Sequence, residues 1–525
     1  MQTLAPEAID ASPPHGDGSV RQTPAPPIVA VAAVVAAGTV LRFVSTSALW
    51  LDEAQSVNIA ALPLGDMFEA LRHDGHPPLY YLLLRGWMEV FGEGDVAVRA
   101  LSGVFGVATL PLAWIAGRRL AGVAGGRWAL VVVALSPYMI RYATETRMYA
   151  LVMLLVLAGY LLLTDALRSP NRVRLAAVAL VSGLLLLTHY WSFFLLGAVG
   201  VVLTLRWWRS PESRAATGRM LVALAAGGVL FLPWLGGFLF QMRHTGTPWG
   251  TAVRPSAMVQ MTLGGLGGDN QLVEAPLIGA VVVVLALLAL FAVRSGRHDI
   301  GLDTRTAPTV RWELAVVVLT LAFGGVVGFA TSSTFQARFA AVVVPLVLLA
   351  AAVGISRIPG VGQLVVGGAV VALSLGGIAG VLFFERTQAE VVADAVAARA
   401  EPGDVVVYCP DQLGPDYSRA LPDGHGLVEL NYPVLESPEL VDWVDYAERN
   451  AAADPSAIAR QVRELADGNT IFVVWQPEYR TLDGQCEQLV SGLGLGRGQT
   501  LVSSDSGKYF EPANLQIFSG EAPVR

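Results

Sequence analysis

Charge is scarce in this chain. Asp, Glu, Lys and Arg make up 15% of its 525 residues, where a soluble protein carries about 25%. With 54% hydrophobic residues, that scarcity excludes an ordinary water-soluble fold and points to a polytopic α-helical membrane protein. Cysteine is almost missing too. Cys409 and Cys486 both fall in the polar C-terminal part, so a disulfide-rich scaffold is excluded and the pairing of these two is left open. No basic stretch followed by a short apolar run and a cleavage site opens the chain. Residues 1–26, rich in Pro, Ala, Gly and Asp, therefore read as a disordered cytoplasmic tail and not as a cleavable signal. There is no phosphate-binding glycine fingerprint, so no nucleotide is assigned, and nucleic acid is not an expected partner. No half of the chain duplicates the other, as repeat-built transporters do.

What is present is a series of apolar runs of spanning length. They cover 27–46, 97–117, 128–144, 147–167, 174–190, 191–207, 218–240, 275–293, 312–331, 336–356 and 361–384. That makes about eleven helices, each near the length that a hydrocarbon core of about 30 Å demands. Arginine orders them. Arg118, Arg119 and Arg127 share one loop; Arg168, Arg172 and Arg174 another; Arg206, Arg209, Arg214 and Arg219 a third; Arg294, Arg297, Arg305 and Arg311 a fourth. These are alternate loops, and the positive-inside rule makes them cytoplasmic. The N-terminus is then cytoplasmic and the C-terminus outside. Three units follow: the tail 1–26, a transmembrane domain 27–384 with a first outer loop 47–96, and a soluble extracytoplasmic domain 385–525.

Within the first outer loop, 56–72 reads as a short amphipathic helix. Residues 77–91 read as another, laid on the membrane surface because they are too short and too charged for a span. In the C-terminal part, 385–400 reads as a helix. Strand-like runs at 405–408, 470–475, 498–503 and 514–518 alternate with helices near 455–467 and 484–493, which argues for a small α/β domain.

Six polar motifs stand at the outer ends of these segments. The first is Leu49-Trp50-Leu51-Asp52-Glu53-Ala54-Gln55-Ser56, and the second His73-Asp74-Gly75-His76-Pro77-Pro78-Leu79-Tyr80-Tyr81. Val98-Arg99-Ala100-Leu101-Ser102 opens the second span. Arg141 to Ala150 contains Glu145, Arg147 and Tyr149, followed by Thr188-His189-Tyr190, and Gln336-Ala337-Arg338-Phe339 precedes an apolar helix. In this order the set resembles the GT-C membrane glycosyltransferases of glycosyltransferase family 39 type. That group includes protein O-mannosyltransferases and aminoarabinose transferases, and the resemblance covers about 28–384. It implies a polyprenyl-phosphate sugar donor, inverting transfer on the outer face of the cytoplasmic membrane, and an acidic residue in the first loop. The acceptor is a lipid, a polysaccharide or a protein.

The residue types suit that chemistry. An attacking hydroxyl must lose a proton, and a positioned carboxylate takes it. Asp52 matches the family's catalytic position, the alternative being that Asp52 and Glu53 only cap the next helix. Arg338 is expected to bind the phosphate bidentately as it leaves, the alternative being an interfacial arginine that anchors a helix end. The resemblance assigns substrate-facing positions to Glu53, His76, Tyr80, Glu145, Arg147, Tyr149 and His189 as well. Glu53 is expected in a hydrogen-bonding role, and Arg147 either at the substrate or paired with Glu145. His73, Asp74 and His76 have metal-ligand residue types without the spacing of a tight ligand signature. His76 with Asp52 or His189 offers a place for a divalent metal, but Gly75 stands where aminoarabinose enzymes carry an acid, and polar loop residues at a substrate mouth are the preferred reading. The rival function is a lipid or polysaccharide transporter or flippase, which would place its charges inside the spans instead of the outer loops.

Overall fold

A computed structural model describes residues 25–268, 274–294, 299–307, 309–422, 424–494 and 498–519. The expected tail lies outside the described residues except for 25 and 26, as does Arg297. The described chain divides into an N-terminal helical bundle and a C-terminal α/β unit.

Six bundle helices are long and apolar enough to cross a membrane: Asp95–Ala134, Tyr149–Arg168, Trp191–Arg209, Pro211–His244, Arg311–Ala330 and Gly362–Phe383. Shorter apolar helices run over Ile28–Leu41, Ala275–Phe291 and Val344–Arg357. Several expected boundaries move where the backbone breaks. The helix Asp95–Ala134 is interrupted at Ala121 and Gly122, whose φ of 65° suits a residue without Cβ. The run 128–144 is not one helix. It stops at Leu135, Ser136 caps Met139 N, and Pro137 opens the separate helix Pro137–Ala143, because proline supplies no amide to continue a helix. In the same way Pro63 divides 56–72 into Leu51–Ala61 and Leu64–Asp74, the latter ended by Gly75 at φ 91°. The expected helix 77–91 is Leu79–Phe91, burying Tyr80, Tyr81, Leu84 and Met88 while Val90 and Phe91 face outward. The run 336–356 begins as a 3₁₀ turn, Ala337–Val342, before Val344–Arg357.

A hairpin pairs β1 (Ala292–Arg294) with β2 (Ile300–Leu302). The C-terminal unit starts with a strand where a helix is expected: β3 (Glu385–Thr387) precedes the helix Ala389–Ala397 and pairs in parallel with β8 (Tyr509–Glu511). The main sheet has the order β5-β4-β6-β9-β7, built from β4 (Val405–Cys409), β5 (Val428–Asn431), β6 (Ile471–Trp475), β7 (Gln499–Val502) and β9 (Asn514–Phe518). Strands β4 and β6 are apolar and almost wholly buried, rich in Val with Ile471 and Phe472, as a sheet covered on both faces requires. Cys409 and Cys486 are joined, tying β4 to the helix Gln485–Gly494.

The α/β unit is seated on the first outer loop. Gln55 donates to Val441 O at 3.0 Å and accepts from Val441 N at 2.9 Å, and Asn58 donates to Glu439 O at 2.7 Å. Trp50 and Leu51 pack with Val441 and Tyr446.

Candidate active site

The helix Leu51–Ala61 carries Asp52 and Glu53 in its first turn, where carboxylates favour the positive end of the helix dipole. Neither caps the helix through its side chain: the N-cap is Trp50, without a side-chain hydrogen bond. Successive residues on a helix point about 100° apart, so the pair is divided between two environments.

Glu53 points inward and is 0% exposed. Its Oε1 accepts from Arg99 Nε at 2.8 Å and Thr146 N at 2.8 Å; its Oε2 accepts from Arg99 Nη2 at 2.5 Å and Arg386 Nη1 at 3.2 Å. Burial alone would push this carboxyl up, but Arg99 and Arg386 outweigh it and bring it down to about 2. Glu53 is thus engaged within the protein and has no surface open to a ligand.

Asp52 points the other way, with 18% of its side chain exposed. Arg338 Nη1 donates to its Oδ2 at 2.7 Å, and Arg147 Nη2 lies 3.9 Å from the same oxygen. The Arg338 guanidinium sits 5.6 Å from the ring of Trp50 and 5.8 Å from that of Trp249. Arg147 does not pair with Glu145. It donates to Ser56 Oγ at 2.8 Å and to Asp52 O at 3.2 Å, and faces His76 Nε2 at 2.9 Å. Behind it, Asp74 takes His76 Nδ1 at 2.9 Å and the Tyr81 hydroxyl at 2.7 Å. Burial would raise the Asp74 carboxyl, yet His76, Arg147 and Tyr81 bring it to about 2.

The other expected residues separate clearly. Glu145 is 1% exposed and lies 3.6 Å from Arg141; its Oε1 has no hydrogen-bond partner among the described residues, and burial raises its carboxyl above the ordinary range. Tyr149 is buried with its hydroxyl likewise unpartnered, between Tyr142 at 5.0 Å and His189 at 5.6 Å. His189 is 5% exposed, accepts from Trp191 N at 3.1 Å and lies tilted against Phe339 with ring centroids 5.7 Å apart. Tyr80 is fully buried and shares a hydrogen bond of 3.0 Å with Ser102, and Tyr81, not Tyr80, joins the polar network.

The donor set does not fit a divalent metal. Both ring nitrogens of His76 are engaged, one by Asp74 and the other by a guanidinium, while Asp52 is flanked by two guanidiniums and His189 Nδ1 by an amide. Among the described residues no group of three His, Cys, Asp or Glu side chains could hold a metal ion.

Sequence reasoning missed Arg386 and Glu511, both from the C-terminal unit. Arg386, on β3, reaches Glu53 and donates to Thr144 O at 2.8 Å. Glu511, on β8, accepts from Leu51 N at 3.0 Å, immediately before Asp52, and burial together with Asp416 pushes its carboxyl well above its ordinary value. The only signal for Arg386 was a charge placed directly after the last apolar run.

Residues 75–236 match the dolichyl-phosphate-mannose-protein mannosyltransferase family. No curated protein matches the sequence. Among solved structures, ArnT from Cupriavidus metallidurans in the apo state aligns with a TM-score of 0.59 at 14% identity, covering 93% of this chain and 98% of that one. The same protein bound to undecaprenyl phosphate aligns with a TM-score of 0.57 at 14% identity, covering 94% and 98%. The chain therefore has the fold of the GT-C membrane glycosyltransferases and, over 75–236, the sequence pattern of their family 39 type.

Proposed function

We propose that this chain is an integral-membrane glycosyltransferase that moves a sugar from a polyprenyl phosphate to an acceptor hydroxyl, with inversion. The observation that carries the reading is the Asp52 carboxylate held against Arg338 and Arg147 at the edge of the first outer loop, in a chain with this fold. The relative bound to undecaprenyl phosphate supports the donor class. The alternating arginine loops support an outward-facing site in the cytoplasmic membrane and an extracytoplasmic C-terminal domain, and the series of apolar runs supports about eleven spans. The donor set around His76 supports transfer without a resident metal.

In this reading Arg338 and Asp52 neutralise each other until the donor arrives. The donor phosphate takes over the Arg338 guanidinium, with Arg147 close by, and Asp52 is released to face the acceptor. The acceptor oxygen bonds to the anomeric carbon, the carbon–oxygen bond to phosphate breaks with its electron pair leaving on the lipid phosphate, and Asp52 takes the hydroxyl proton. Arg338 balances the charge that grows on the leaving phosphate. Glu145 and Tyr149, each with an unpartnered polar atom near this mouth, supply contacts for the sugar. The acceptor is a lipid, a polysaccharide or a protein hydroxyl.

The test is release of polyprenyl phosphate from a polyprenyl-phosphate sugar by purified protein. Asp52→Asn should bind donor and lose transfer by about 10²–10⁴-fold, the span of general-base effects. Arg338→Lys, which loses the bidentate fork, should weaken donor binding or phosphate departure. Wild-type turnover in a folded Asp52→Asn protein would overturn the assignment.

A further inference from the structure

On the side of the bundle away from Asp52 lies an open trough of about 830 Å³. Sites that enclose drug-sized ligands have roughly 300–1,000 Å³. Its walls are the helices Arg172–Thr188 and Arg214–Phe231 and the last turn of Trp191–Arg209. Small or apolar residues such as Ala179, Gly218 and Val222 form the floor, and Trp207, Arg214 and Arg219 stand at the rim. Val222 is 70% exposed, so apolar surface is left facing outward, and none of the described residues covers it.

Two features mark the rim as headgroup level. Trp207 and Trp208 are exposed, 39% and 73%, and tryptophan collects at membrane interfaces. Arg206, Arg209, Arg214 and Arg219 gather around them against a single acid, Glu212. Arg214 is held in place, its guanidinium 5.2 Å over the Trp207 ring and its Nε donating to Trp207 O at 3.2 Å. The geometry points to a site for one anionic phospholipid of the inner leaflet, its acyl chain in the trough and its phosphate at Arg214 and Arg219. The donor lipid in its reacting position is a different molecule. The helix Arg172–Thr188 runs 17 residues from this rim to His189 at the catalytic mouth, about 25 Å at 1.5 Å per residue. The inference is independent of the catalytic reading.

The test uses the full chain in detergent, stripped of lipid and titrated with phosphatidylglycerol or phosphatidylcholine of matched chains, read by native mass spectrometry. Two juxtamembrane arginines should favour the anionic lipid by roughly ten- to thirtyfold. Arg214→Gln with Arg219→Gln, both at exposed positions, should bring phosphatidylglycerol down to the phosphatidylcholine level, while Arg172→Gln with Arg174→Gln should not. Gly218→Leu tests the trough itself: a Cβ there lies 3.7 Å from Trp207 Nε1, and the longer side chain should exclude the acyl chain without altering charge. Equal retention of the two lipids would overturn the site. So would phosphatidylglycerol unaffected by the double arginine change, or by Gly218→Leu. Undecaprenyl phosphate that displaces phosphatidylglycerol from the wild type at equal concentration would assign the trough to the donor instead and refute the inference as stated.

Discussion

Replacing Glu53 by Gln should cost more stability than any other single change in the first outer loop. Glutamine keeps the volume but removes the charge from a side chain that is 0% exposed and enclosed by two guanidiniums and an amide. It leaves Arg99 and Arg386 buried and short of an anion, and stranding one side of a buried ion pair typically costs about 3–5 kcal/mol. The titration of Glu53 gives a similar size. Its carboxyl moves from 4.5 down to about 2, and at about 1.4 kcal/mol per unit that is roughly 3 kcal/mol. A lowered carboxylate contributes stability that is complete above its unfolded value and is lost as pH falls through its folded value. The gap between wild type and Glu53→Gln should therefore be full near pH 7, shrink below about pH 4.5, and be small by about pH 2. Thermal unfolding of the detergent-solubilised chains, followed by tryptophan fluorescence across that pH range, measures it. A variant within about 0.5 kcal/mol of wild type near pH 7, the usual range for an unimportant surface change, would refute the reasoning. So would a gap that does not narrow with acid.

Asp411, buried beneath the Tyr446 hydroxyl at the seam with the first outer loop, is pushed up to about 7 by burial. Its contribution is complete below the ordinary value and is lost as pH rises through about 7, so Asp411→Asn should stabilise the C-terminal unit near pH 8 by on the order of 2–4 kcal/mol; identical pH slopes for the two proteins would count against this. Removing the Cys409–Cys486 bond, which closes a separation of 77 residues, should cost about 4.5 kcal/mol on the loop-entropy model, visible as a lower melting temperature after Cys409→Ser with Cys486→Ser.

The helical bundle and the importance of the Asp52–Glu53 pair were legible in the sequence because both are local. An apolar run announces a buried or membrane-facing helix by composition alone, and adjacent acids at its end are costly enough to attract notice. Helix breaks were partly legible: Pro63 and Pro137 act on their own neighbours, yet the apolar pattern runs across both and hides them. The partners of the acids were a different matter. Arg338 meets Asp52 across 286 residues and Arg386 meets Glu53 across 333, and no periodicity links positions so far apart. Which tyrosine of Tyr80 and Tyr81 joins the polar network was equally hidden, since neighbours on a helix differ only in direction until the helix is packed. The sequence alone could say that a carboxylate, a guanidinium and a histidine stand at the outer ends of the spans. Only the tertiary structure decided that Glu53 is locked inside by Arg386 from the C-terminal unit while Asp52 is left at the edge. Burial and charge pairing depend on what packs around a residue, and here decisive neighbours, Arg338 and Arg386, stand far along the chain.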